Sequence, residues 1–389
     1  MFILERPYVS RHMLDYAVRH AVPVLRTSFT EALARTAPLR LLDDDAFAAR
    51  LREGGRLYTS SENALDWVFT HCGDSDLARA CRVMKDKAAL RRLLRPMFPD
   101  FFFREIAAAD LPGTDPSGLR FPCVLKPSVG FFSLGVRTVP SAGDWKAAVR
   151  DIQRDMASHA GLFPASVLEQ QRFLAEELVG GEEFAVDLYF DAAGEPVILN
   201  IFQHRFASAD DVSDRLYVTG KDVIEARMEE FMRFFRQANA VLGVRDFPAH
   251  VELRVDRGRV LPIEFNPLRC AGMCCTDLAH YAYGFDTYDC YLRGVRPDFG
   301  SILRGREGQT YSMIILDRRP GTPAHARLDF DRLAGRLQDV LEVRPMQELG
   351  LPLFGIVFAR TDDAHARQLD AMLHSDLGEF LLPAGEGEA

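Results

Sequence analysis

The stretch from residue 249 to 266, Ala-His-Val-Glu-Leu-Arg-Val-Asp-Arg-Gly-Arg-Val-Leu-Pro-Ile-Glu-Phe-Asn, constrains the fold more than any other. Polar and apolar residues alternate on both sides of a glycine turn, the signature of an antiparallel hairpin with one polar face. His250, Glu252 and Arg254 share that face, and Pro262, Glu264 and Asn266 share a face of the return strand. A three-residue loop, Arg257 to Arg259, pairs 256 with 260. Glu252 then stands across from Glu264, and His250 across from Asn266. Two carboxylates opposed on paired strands repel unless something cationic lies between them. Hard divalent ions take oxygen ligands, and Mg²⁺ bound with phosphates uses one or two carboxylates. Glu252, Glu264 and Asn266 therefore read as a Mg²⁺ site, Mn²⁺ being an alternative. The other reading is a plain exposed polar face.

Two further segments carry chemistry. Residues 121–136 run as an apolar strand ending in Lys126, followed by a loop with Ser128, Gly130, Ser133 and Gly135. A lysine at a strand end is costly to bury unless it meets an anion, and the loop offers backbone donors for phosphate oxygens. No Gly-Lys-Ser/Thr follows, so this is not a Walker loop, and a surface turn remains the rival reading. Residues 174–187 bring two strands to a Gly-Gly kink flanked by Glu176, Glu177, Val179 and Glu183. Carboxylates there suit an exocyclic amine and ribose hydroxyls, as in other nucleotide folds, or they are simply solvated.

At 389 residues the chain suits two or three domains rather than one core. Strand and helix patterns alternate through the first ~80 residues, as in a βαβ domain. Residues 76–94 read as one helix capped by Asp74 or Ser75, with Arg91, Arg92 and Arg95 on a solvated face. Later helices are expected at 142–159, 223–242, 328–341 and 363–374. A net charge of −9 argues against a duplex nucleic-acid binder. The amino terminus becomes charged too early for a signal peptide, and no apolar run approaches a membrane span. Seven cysteines without a CxxC pair suggest neither disulfides nor zinc, and Cys270, Cys274 and Cys275 read as small core residues of a cytoplasmic protein.

In this order, the helix lysine of Met84-Lys-Asp-Lys87, the strand lysine with its loop, the Glu hinge and the Glu…Glu-x-Asn hairpin resemble the ATP-grasp superfamily, and within it carboxylate–amine ligases. The resemblance covers roughly residues 80–290. It implies α/β and α+β architecture: a Rossmann-like domain at 1–105, two ATP-grasp subdomains at 106–180 and 181–300, and an α+β appendage at 301–389. It also implies ATP as cofactor, with Lys87 and Lys126 on its phosphates, and the loop carrying Ser128, Gly130, Ser133 and Gly135 as a lid. Lys85 competes with Lys87 for the helix role. Glu176 and the backbone of Glu177 to Val179 correspond to adenine contacts, and Glu183 to the ribose contact. Glu252, Glu264 and Asn266 correspond to the metal ligands. Phe131 and Phe132 replace the glycines common in such lids. Arg269 falls three residues after Asn266, where the family often has its arginine two after. Arg254, Arg269 and His250 are candidates to hold a carboxylate or a transferred phosphate; His250 reads equally as a scaffold histidine. The implied reaction joins a small-molecule carboxylate to an amine through an acyl phosphate, without nucleic acid or membrane, in a chain that could be a homodimer. A biotin-type carboxylase, a phosphotransferase and a nucleotide-binding module without turnover are the alternatives.

Overall fold

The computed structural model describes residues 1–129, 135–158, 172–208, 211, 213–319, 321–323 and 325–383. The expected lid residues Gly130, Phe131, Phe132 and Ser133 lie outside them.

A parallel four-stranded sheet opens the chain. Strands β1 (Phe2–Ile3), β2 (Pro23–Leu25), β3 (Arg40–Leu42) and β4 (Tyr58–Thr59) take the order β3-β2-β1-β4. Helices α1 (Arg11–Arg19), α2 (Ser28–Leu33) and α3 (Asp44–Arg52) carry the crossovers between them. Helix α1 starts where the Ser10 side chain accepts from Met13 N, and it buries Met13, Leu14, Tyr16 and Ala17.

After α4 (Leu65–His71), the single helix expected over 76–94 is two, α5 (Asp76–Lys85) and α6 (Lys87–Leu93). Asp86 separates them with φ −91° and ψ 101°, and its carboxylate caps α6 by accepting from Ala88 N at 3.0 Å and Ala89 N at 3.1 Å. An aspartate offers the backbone this alternative to helix continuation, which periodicity alone does not show. Ser75 caps α5 as expected.

A second sheet, β5-β8-β6-β7, is antiparallel: β5 (Phe103–Ala107), β6 (Cys123–Pro127), β7 (Arg137–Val139) and β8 (Arg172–Glu177). It packs on α7 (Trp145–Ser158) through Trp145, Val149 and Ile152 against Leu125, Phe173 and Ala175.

The third sheet has eight strands, all antiparallel, in the order β13-β12-β9-β10-β11-β14-β16-β15. They are β9 (Glu182–Phe190), β10 (Pro196–Arg205), β11 (Leu216–Gly220), β12 (Phe247–Asp256), β13 (Arg259–Pro267), β14 (Gln309–Asp317), β15 (Asp339–Pro345) and β16 (Leu353–Asp362). Helix α8 (Lys221–Leu242) lies on it with Ile224, Phe231, Phe234, Phe235 and Ala238 buried, and Gly243 at φ +68° ends the helix. Helices α9 (Leu278–Tyr283) and α10 (Thr287–Arg293) follow the hairpin.

The C-terminal strands extend this same sheet instead of forming one of their own. Only Phe330–Ala334 of the expected 328–341 helix is α-helical, and Asp339–Pro345 is a strand instead. Its pairing with β16 outweighs the helical pattern.

Candidate active site

The hairpin brings its two glutamates face to face, though not by the expected path. Its turn has two residues, Arg257 at φ +49° and Gly258 at φ +75°, rather than three, so Asp256 pairs with Arg259. A bulge between Glu252 and Leu253 then shifts the register by one, restoring Glu252↔Glu264 and His250↔Asn266. Pro262 pairs with Leu253, and Leu261 takes the place opposite Arg254.

A chain of alternating charge runs from this pair into the N-terminal region. Lys87 Nζ donates to Glu264 Oε1 at 2.8 Å, and Lys85 Nζ lies 3.8 Å from the same oxygen. Lys85 also meets Glu62 Oε2 at 2.5 Å, while Glu62 Oε1 accepts from Arg269 at 2.7 Å. Burial opposes ionisation of Glu62, but Arg269 and Lys85 hold its carboxyl down at about 2. Glu264 is likewise held below the usual range, by Lys87 and Lys85 against burial. Glu252 goes the other way. Burial first, then the neighbouring charges of Glu264, Glu183 and Asp214, push it up to about 8, with Arg269 opposing. Two facing carboxylates of which only one ionises readily form a donor set that a divalent cation completes. With the Asn266 amide oxygen, every donor is oxygen, which fits Mg²⁺ or Mn²⁺.

This asymmetry has a measurable sign. Glu252 binds its proton more tightly in the folded than in the unfolded chain, so its contribution is full below about pH 4.5 and is lost as pH rises through about 8. In chelator, Glu252→Gln is expected to flatten that part of the stability profile between pH 5 and 8. Parallel urea-unfolding profiles for wild type and variant check this, and identical pH dependence in the two would remove the coupling.

Lys126, next to last in β6, is a buried cation, its Nζ 2.6 Å from Glu176 Oε1. Arg91 holds the same carboxylate with two bonds, 2.7 and 3.1 Å, donates to the Pro262 carbonyl at 2.7 Å, and lies over the Phe101 ring. Burial would raise the Glu176 carboxyl, but Arg91 and Lys126 hold it down at about 2. Burial lowers the Lys126 ammonium, partly offset by Glu176. Ser128, next along, is tied to the start of α6: its hydroxyl donates to Asp86 and its carbonyl accepts from Lys87 N at 2.9 Å. Gly135 has φ +73°, a conformation that favours glycine.

On β9, Glu183 sits between its two strand neighbours, with His204 Nδ1 at 2.9 Å on one side and Arg254 Nε at 2.9 Å on the other. Arg254 also donates to the Val179 carbonyl at 3.0 Å, fastening the hinge to the sheet. Glu177 lies 3.7 Å from Arg120. Leu178 and Val129 are among the few exposed large apolar side chains. Further along the same face of β9, Asp187 is wholly buried. It meets His250 Nδ1 at 2.7 Å, Ala271 N at 2.8 Å and the Thr276 hydroxyl at 2.8 Å. With Nδ1 so engaged, Nε2 is the His250 atom left for a ligand.

The structure thus joins Lys87, Lys126, Glu176, Glu183, His250, Glu252, Arg254, Glu264, Asn266 and Arg269 in one region. It adds three residues to those expected from the sequence. Arg91, expected on a solvated face, is instead 6% exposed and lies four residues from Lys87, on one helical face. Asp187 follows Glu183 at strand period. Glu62 carries no local signal, and Lys85, already named beside Lys87, lies between Glu62 and Glu264. All seven cysteines are free, and the three near residue 270 are buried. No helix among the described residues is long and apolar enough to cross a membrane.

The family model of the ATP-grasp domain matches residues 119–277. No curated protein sequence matches the chain. Among solved structures, the chain resembles the L-amino acid ligase from Bacillus licheniformis at TM-score 0.70 and 17% identity, covering 98% of this chain and 97% of that one. It also resembles N5-carboxyaminoimidazole synthase from Aspergillus clavatus, in complex with ADP and 5-aminoimidazole ribonucleotide. That match has TM-score 0.65, 15% identity and coverage of 96% and 98%. A third is biotin carboxylase from Campylobacter jejuni, at TM-score 0.61, 11% identity and coverage of 93% and 87%.

Proposed function

We propose, from the premise that this is an ATP-grasp protein, that the chain is an ATP-dependent ligase that activates a carboxylate as an acyl phosphate and couples it to an amine. The carrying observation is the facing Glu252–Glu264 pair with Lys87 on one of its carboxylates. The likeness to an L-amino acid ligase along nearly the whole of both chains supports the amine as second substrate.

Glu252, Glu264 and Asn266 would hold Mg²⁺, which when bound supplies positive charge to offset the phosphates of ATP. The protein's own residues do the rest. Lys87 and Lys126 neutralise phosphate charge from two directions, each now resting on a carboxylate that nucleotide binding would relieve. The hinge from Glu177 to Val179 offers backbone to the adenine, beside the exposed Leu178. Glu183, fixed by His204 and Arg254, faces the ribose. Arg269, anchored on Glu62, is a guanidinium for the activated carboxylate. His250, fixed by Asp187, presents Nε2 to accept the proton that the attacking amine must lose.

An acyl phosphate is electrophilic, so hydroxylamine in place of the amine intercepts it as a hydroxamate. Protein, Mg·ATP, hydroxylamine and a carboxylate that stimulates phosphate release are expected to yield ADP, phosphate and the hydroxamate by mass. AMP and pyrophosphate would overturn the reading. A stable phosphorylated product without hydroxamate would make the chain a phosphotransferase, and turnover that requires bicarbonate and biotin would make it a carboxylase.

A further inference from the structure

Away from the hairpin, α1, α9 and the start of α10 bring His12, His280 and Asp286 together. One oxygen of Asp286, Oδ1, lies 2.7 Å from His12 Nε2 and 3.1 Å from His280 Nδ1. The two imidazole rings are 4.2 Å apart between centroids, and the three donor atoms all lie within 4.8 Å of one another. Asp286 stands at the N-cap of α10, where an aspartate ordinarily accepts from the first-turn amides. Its side chain makes no such bond and is turned to the histidines instead.

Two imidazoles converge on one carboxylate oxygen, which gives the three groups a common focus. The surroundings are richer in anions than cations. Asp277 and Glu342 also act on His12, and the two share one cation, Arg344, at 2.7 Å each. The fully buried Tyr288, whose ring lies 6.5 Å from that of His12, has a hydroxyl without a hydrogen-bond partner.

We propose that His12 Nε2, His280 Nδ1 and Asp286 Oδ1 form a second metal site, for a borderline divalent transition ion such as Zn²⁺ rather than Mg²⁺. Two imidazoles and one carboxylate are the donors that Zn²⁺, Co²⁺ and Ni²⁺ prefer, whereas Mg²⁺ and Ca²⁺ prefer oxygen alone. Tetrahedral zinc with bonds of about 2.0–2.1 Å sets its ligands roughly 3.3 Å apart. The observed 2.7 and 3.1 Å contacts would open by roughly 0.6 and 0.2 Å. His280 is 43% exposed on its helix and has room to adjust. Three protein ligands leave a further position to water. The ion would clip α1 of the first sheet to the helices that follow the metal hairpin, stabilising the junction of the two.

The test uses the full chain in excess Mg²⁺, which occupies the hairpin's oxygen ligands. Co²⁺ is expected to give a visible d–d band saturating at one ion per chain, and Zn²⁺ to raise the melting temperature by several degrees. His12→Ala and His280→Ala, each checked for native circular dichroism, should abolish both effects. Glu264→Gln, whose side chain meets Lys87 and Lys85 and none of the three ligands, should keep them. No band, a band that survives both histidine variants, or a band lost with Glu264→Gln would overturn the site and leave a hydrogen-bonded cluster. Should one histidine variant fail to fold, the other and the Co²⁺ spectrum of the wild type still decide.

Discussion

Glu264→Ala is expected to lower Mg·ATP-dependent turnover roughly 10³-fold while the chain still folds. Metal-borne charge stabilisation is worth several kcal/mol, and each ~1.4 kcal/mol is a factor of ten. The two glutamates should part company in the metal-free protein. Glu264 neutralises Lys87 and approaches Lys85, so its loss weakens the apo fold. Glu252 is the destabilised member, pushed up to about 8, and Glu252→Ala should leave the apo fold unchanged or firmer at pH 8. Phosphate release and urea unfolding in chelator measure the two effects separately. Wild-type turnover in Glu264→Ala would dispose of the metal assignment, and equal apo stabilities would dispose of the asymmetry.

Glu176→Ala is expected to cost about 3–5 kcal/mol of folding stability, because it leaves Lys126 and Arg91 buried without their shared counter-charge. Lys126→Ala should behave differently. Glu176 keeps both Arg91 bonds, so the fold survives, and the loss falls on nucleotide binding. A charge-assisted contact of roughly 1.5–3 kcal/mol corresponds to about one to two decades in affinity. Urea midpoints and nucleotide titration on both variants distinguish a structural carboxylate from a ligand-facing lysine. A Glu176→Ala protein as stable as wild type would mean that the buried triad is not what secures this junction.

The parts of the site legible in the sequence are those written at short range. Strand alternation puts Glu252 on the same face as His250, and a three-residue turn leads to the pairing of Glu252 with Glu264 even though the actual turn has two. The bulge between Glu252 and Leu253 supplies the missing residue, and nothing in the composition of the hairpin announces it. Arg91 departs from expectation because a cluster of arginines on a helix is ordinarily solvated; here the pairing of Phe103 with Glu176 on neighbouring strands brings a carboxylate beneath it. The serine hydroxyl that donates to Asp86 lies forty-two residues later, and Glu62 reaches Arg269 across 207 residues. Such contacts exist only once the chain has folded. The same holds for β15, whose helical pattern yields to an available neighbour at the sheet edge.

The continuity of the eight-stranded sheet also limits how this chain can be cut. Strand β11 pairs on its far side with β14, from Leu216↔Ile314 to Gly220↔Thr310, and those partners come from the C-terminal segment. Ending the chain near residue 300 would strip that side of β11, uncovering a row of unpaired amides and carbonyls beside the buried Leu216 and Val218. An uncapped edge of that kind recruits strands from other chains. The C-terminal strands thus cover the edge of a sheet whose candidate site, at Glu252 and Glu264, draws none of its residues described above from them. A shorter chain carrying that site alone would need charged residues or a proline written into β11, because deletion by itself exposes the edge.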